Sequence, residues 1–193
     1  MAKPTAKPNS AKSTKSAKSA KASPAPKAAT AKASSGAIDF GKDLRPLFGL
    51  AEGDPKIAAA LAKAGKVSWT KPDGGQRYAI AKQAGLDILV ERPEDAKRGA
   101  PMLVHTMFLY RAHDGAKRAQ FAAPPYGLAF TTRTEVLRSM GPPVETWLIG
   151  KGAVPVTSPA ADHDRWEIDG LNVCAEYDED LGVKSIAIFV PGE

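Results

Sequence analysis

The chain has 193 residues and a formal net charge of +6, from 27 Lys and Arg against 21 Asp and Glu. Residues 1–36 hold eight lysines and no acid, which leaves 19 basic and 21 acidic side chains in residues 37–193. The basic character therefore belongs to the N-terminal segment, and the charge balance excludes a basic nucleic-acid-binding body. Cys174 is the single cysteine, so there is no intramolecular disulfide framework, and the composition leans towards a reducing compartment.

Residues 1–36 contain no Leu, Ile, Val, Phe or Trp. Without them a secretory signal has no apolar centre, and the segment has too little apolar surface to offset the entropy of ordering. A disordered basic tail over 1–36 is the expectation. Its Lys- and Ala-rich composition resembles the tails of linker-histone-like proteins. Lys12, Lys15, Lys18 and Lys21 are candidates for weak, nonspecific binding to nucleic-acid phosphates, with counterion release as the driving force. The alternative is a plain flexible leader, favoured by the absence of aromatics for base stacking and of arginine for base readout. No later apolar run reaches the ~18 residues of a membrane span, so no membrane is expected and the reading is a soluble, cytoplasmic protein.

The remainder reads as a duplication. In the first copy, Leu47-Phe48-Gly49-Leu50-Ala51 precedes a helix signalled by Asp54 as N-cap, Pro55 at the first helical position, an Ile57/Leu61 stripe and a stop at Gly65. In the second, Tyr126-Gly127-Leu128-Ala129-Phe130 precedes a helix capped by Thr132 or Thr134, with a Val136/Met140 stripe and a stop at Gly141. Arg77-Tyr78 then leads to the alternating strand Leu86-Asp87-Ile88-Leu89-Val90, and Arg165-Trp166 leads to Leu171-Asn172-Val173-Cys174-Ala175. Apolar strands from Met102 to Tyr110 and from Val183 to Val190 close the two copies. Asp73-Gly74-Gly75 and Gly150-Lys151-Gly152 lack the spacing of phosphate-binding loops and read as hairpin turns. The fold expected is α+β: a tail at 1–36, then two tandem helix-turn-helix plus antiparallel-sheet units at 37–119 and 120–193.

The series Tyr126-Gly127-Leu128-Ala129-Phe130, Thr134 to Pro143, Asp164 to Leu171 and Tyr177-Asp178 resembles the SmpA/OmlA-like helix-plus-sheet unit. Two such units in tandem are similar to the β-lactamase inhibitor protein, and the second half looks like small immunity proteins of bacterial polymorphic-toxin systems. The resemblance covers roughly 38–193. It implies a bacterial scaffold that binds a protein partner, a toxin or an enzyme, without chemistry of its own.

The residues support that class independently. His105, His113 and His163 lack ligand spacing, so no metal site is expected, and no nucleophile motif accompanies Asp162-His163-Asp164. No catalytic residue, cofactor or small-molecule ligand is assigned. The opposing reading is a hydrolase-type enzyme using His163 with Asp162 or Asp164. Candidate partner-binding residues are Trp69 and Trp147, each following a glycine-stopped helix, and the carboxylates Glu176, Asp178, Glu179 and Asp180, which would steer a basic partner. The competing assignment makes the tryptophans core residues and the carboxylates a solvated hairpin tip. Tyr78 and Trp166 are read as equivalent core aromatics, and Cys174 as a small thiol lining a strand face.

Overall fold

Asp54 starts the first helix, α1 (Pro55–Ala64), by accepting the Lys56 backbone N–H at 2.8 Å. Thr132 starts the second, α2 (Arg133–Met140), in a capping box in which Thr132 and Glu135 each accept the other's backbone N–H. These side chains satisfy donors that the first helical turn leaves without partners. The structure, a computed structural model, describes residues 38–111, 119 and 124–192. All of them belong to one compact unit. The tail lysines Lys12, Lys15, Lys18 and Lys21 lie outside the described residues, and the unit boundary expected between 119 and 120 falls in a stretch where only Ala119 is described.

Among the described residues each half holds one α-helix, where the expectation was a helix-turn-helix. Ahead of α1 come a wide helical turn at Phe40–Leu44 and a 3-10 turn at Arg45–Leu47; ahead of α2 comes the short turn Pro125–Gly127. Pro46 and Pro125 cannot donate to a helical ladder, which keeps these turns short. Leu47 and Leu128, at the ends of the turns, are fully buried and fasten them to the core.

The rest is mostly sheet. Among the described residues nine strands form one antiparallel sheet: β1 (Ser68–Trp69), β2 (Gln76–Ala81), β3 (Leu86–Glu91), β4 (Leu103–Tyr110), β5 (Glu145–Leu148), β6 (Gly152–Val154), β7 (His163–Ile168), β8 (Leu171–Tyr177) and β9 (Val183–Phe189). Their spatial order is β1-β2-β3-β4-β9-β8-β7-β5-β6. The last strands of the two halves thus pair in the middle, with Phe108 opposite Ala187, Thr106 opposite Phe189 and Tyr110 opposite Ser185. The register slips once in each, leaving His105 as the extra residue of β4 and Lys184 as that of β9. The hydrogen bonds that lead into the two strands also match. Val104 N–H donates to Leu50 at 2.9 Å and Val183 N–H to Thr131 at 2.8 Å, while Glu52 N–H donates to Met102 at 2.7 Å and Arg133 N–H to Leu181 at 2.8 Å.

The hairpins follow the expected turn chemistry. Gly74-Gly75 closes a two-residue turn between Asp73 and Gln76. Asp169 and Gly170, at φ 53° and 77°, link β7 to β8 in the left-handed conformation that a two-residue hairpin requires. Gly150-Lys151 lies in the β5–β6 connection.

Strand alternation divides the sheet into two unlike faces. Ala79, Ala81, Leu86, Ile88, Val90, Met107, Leu109, Ile186, Ile188, Val173, Ala175 and Trp166 are buried and form one cluster with Ile57 and Leu61 of α1 and Val136 of α2. Both helices therefore cover the same side. Register puts Tyr78, Leu89, Phe108, Phe189 and Ala187 on the opposite side, together with Cys174, Glu176, Arg165, His163 and Trp147. Neither α-helix covers this face.

Candidate functional site

The open face is built across strands from both halves. Over β2, β3, β4 and β9 it is apolar: Tyr78, Ile80, Phe108 and Phe189 are half-buried, Leu89 is buried, and the Tyr78 and Phe108 rings lie 6.4 Å apart. Over β5, β7 and β8 it is charged. Arg165 bridges Glu145 at 3.0 Å and Glu167 at 2.9 Å, and donates to the Asn172 amide oxygen at 2.7 Å. Glu176 pairs with Lys184 at 2.7 Å and accepts from Ser185 Oγ at 2.6 Å. Burial raises the affinity of the Glu176 carboxyl for a proton, but the Lys184 and Ser185 hydrogen bonds outweigh it and hold the group below its ordinary value.

Trp147 stands at the charged edge, 39% exposed. Its indole stacks on His163 at 6.0 Å with an interplanar angle of 11°. A hydrogen bond from Trp147, then the Arg165 guanidinium, holds the Glu145 carboxyl below the usual range. The ring is thus oriented from two sides. Ile149, just beyond β5, is 82% exposed.

Trp69 lies elsewhere. It pairs with Ala79, on the helix-covered side, where it lines a shallow groove of about 320 Å³ with Glu52, Ile57 and Leu61. Arg77 stacks over its ring at 4.9 Å and is held by Glu52. The two tryptophans therefore face opposite ways. The pairing of Tyr78 with Trp166 as equivalent core residues is also corrected. Tyr78 is opposite Leu89 on the open side, whereas Trp166 is opposite Val173 in the core, its indole N–H donating to Gly141 at 3.2 Å.

Three of the four clustered carboxylates, Asp178, Glu179 and Asp180, line one shallow cleft with Asp162, Tyr177 and Lys184. Glu176 belongs to the open face, as described. Asp178 is a turn residue, accepting the Gly182 N–H at 2.7 Å and the Asp180 N–H at 3.1 Å and pairing with Arg111. Those backbone hydrogen bonds and Arg111 keep its carboxyl below the ordinary Asp value. Glu179 is exposed and Asp180 is exposed beside it, at the tip of the β8–β9 hairpin.

His163 is not joined to a neighbouring aspartate. Alternation sends Asp164 to the helix side, and Asp162 accepts the Ile149 backbone N–H at 2.5 Å. Among the described residues no three His, Cys, Asp or Glu side chains are grouped to hold a metal ion.

No sequence pattern marks the Asp164 environment. Asp164 is fully buried and receives two hydrogen bonds from Arg133, at 2.7 and 3.1 Å, one from Thr146 at 2.6 Å and one from Tyr177 at 3.0 Å. Arg133 also donates to the Ser158 carbonyl at 2.5 Å. Burial, followed by the Asp164 charge and hydrogen bond, pushes the Tyr177 hydroxyl far above its ordinary value. This node ties the start of α2 to β5, β7 and β8. A charged residue at the first helical position gives no sign in sequence that its partner lies 31 residues away. Cys174 lies on the open face, and burial followed by the charge of Glu176 pushes its thiol up to about 12. No protein family, curated protein or solved structure matches the chain.

Proposed function

We propose that the protein is a non-catalytic binding module, an immunity or inhibitor protein that occludes a toxin or an enzyme with the open face of its sheet. The observation that carries this reading is the one-sided cover: both α-helices lie on one face, and the other presents half-buried aromatics on β2, β4 and β9 and, at its far edge, an oriented, exposed Trp147. Such a broad surface suits a protein partner better than a small molecule, which binds in concave pockets. The matching hydrogen bonds into β4 and β9, and their central pairing, support two tandem units of the SmpA/OmlA-like kind.

The mechanism is steric and electrostatic blockade, exerted in the cytoplasm. Coexpression with the product of the adjacent gene tests it: a stoichiometric complex and rescue of growth are expected. Absence of a complex, or a measured turnover abolished by His163→Ala, sinks the reading. A second role, nonspecific nucleic-acid binding by the tail, is favoured by its eight lysines and lack of acids. Binding of the full chain to duplex DNA that falls steeply with salt supports it; no binding at low salt removes it.

A further inference from the structure

The open face has a chemical character that selects its partner. Register gives it five carboxylates, Asp87, Glu91, Glu145, Glu167 and Glu176, against three cations: the Arg165 guanidinium, the Lys184 ammonium held by Glu176, and Lys82, whose charge acts on Asp87; Tyr110 also donates to Asp87 and Gln76 to Glu91. The apolar strip of Tyr78, Leu89, Phe108 and Phe189 runs over β2, β3, β4 and β9; Asp87 and Glu91 lie within it, on β3 to either side of Leu89, and the three glutamates lie beyond β9, on β8, β7 and β5.

We infer that the open face takes a cationic protein surface whose lysines or arginines border an apolar projection, an inference that rests on the proposed binding role. The apolar strip needs apolar atoms to replace water. The carboxylates within and beyond it repel nucleic-acid phosphates and anionic lipid headgroups, and they disfavour a second copy of the same face by bringing like charges together. Arginine fits them well, since its fork can bond carboxylates already engaged on one edge. The 49 residues of the nine described strands, at ~3.4 Å along and ~4.8 Å across, span close to 800 Å², about what one partner contributes to a standard interface. Trp147, fixed by His163 and Glu145, supplies a rigid aromatic anchor at the rim with little rotamer entropy left to lose.

The test is selection of a phage-displayed library of short randomised peptides on the immobilised full chain, at low and at high salt. Enriched peptides are expected to be net positive around one or two aromatic or aliphatic residues, and to be lost at high salt. Their binding should fall at least about tenfold in the triple variant Glu145→Gln, Glu167→Gln, Glu176→Gln, which keeps the shape but removes three charges. Phe108→Ser should cause a similar loss; Trp147→Ser at the rim provides the same readout if Phe108→Ser fails to fold by circular dichroism. No enrichment, neutral or acidic peptides, or binding indifferent to all of these variants would overturn the inference. The adjacent-gene complex separates the two claims. A complex that forms and ignores the triple variant refutes the cationic partner but leaves the binding role standing. Expected peptides without that complex refute the toxin-inhibitor reading alone.

Discussion

Asp164 shows how much one buried group can govern. Its four hydrogen bonds come from Arg133, Thr146 and Tyr177, side chains that would otherwise be buried without a charged partner. Asp164→Ala leaves the Arg133 charge buried and uncompensated, and is expected to cost about 3–5 kcal/mol of unfolding free energy in urea titration. The variant Arg133→Met, Asp164→Leu, Thr146→Val, Tyr177→Phe removes both charges and the two hydroxyls that Asp164 accepts from, and should recover part of that loss; no recovery would show that the network as a whole is net stabilising. Cys174 makes a second prediction at this scale. With its thiol pushed up to about 12, the thiolate fraction near pH 8 is lower than that of an ordinary cysteine by about a thousandfold. Alkylation by iodoacetamide should therefore be slow in the native protein and fast after unfolding. Rapid native labelling would contradict the burial of the sulfur.

At the scale of elements, the helices depend on their caps and the β8–β9 hairpin on Asp178. Thr132→Ala removes one half of the α2 capping box and should destabilise the protein by about 1 kcal/mol, measured as a lower denaturation midpoint with an unchanged slope. In the hairpin, the Gly182 backbone N–H and Arg111 depress the Asp178 carboxyl. A carboxyl depressed in the folded state stabilises above its unfolded value, near 3.8, and that contribution disappears as the pH falls through the folded value. Stability should therefore drop below about pH 4, where the unfolded chain binds more protons. Asp178→Asn should reduce the size of that drop. An unchanged acid limb would assign the acid sensitivity to other pairs, such as Lys63–Asp43.

The whole described body hangs on the β4–β9 seam. Ile188, fully buried, pairs with Met107 on one side and Val173 on the other, so it joins the two halves through both backbone and core. Ile188→Ala should cost about 2–5 kcal/mol and lower protection from hydrogen exchange in β3 and β8 alike. Loss of protection confined to one half would mean that the halves unfold separately. The local features were legible in the sequence: both helix caps, both glycine stops, the alternating strands and the Asp-Gly hairpin signals rest on interactions within a few residues. Register was not legible. The β2–β3 connection, Lys82 to Gly85, is two residues longer than the Asp169-Gly170 turn, a difference that keeps the faces in step, but matching Arg77-Tyr78 to Arg165-Trp166 carries one further residue of offset, since register aligns Tyr78 with Arg165 and Ala79 with Trp166. Since side chains alternate with period two, a mismatch of this kind moves a residue to the other face, which is why Tyr78 lies outside and Trp166 inside. The same effect separates Trp69 from Trp147 and His163 from Asp164. Charge and composition by themselves determined that the +6 belongs to the lysine-rich first 36 residues and that the body is mildly acidic. Only tertiary structure decided which of the body's charges are neutralised by partners, which are gathered on the open face, and which face the two described α-helices cover, because those outcomes depend on hydrogen bonds between strands far apart in the chain.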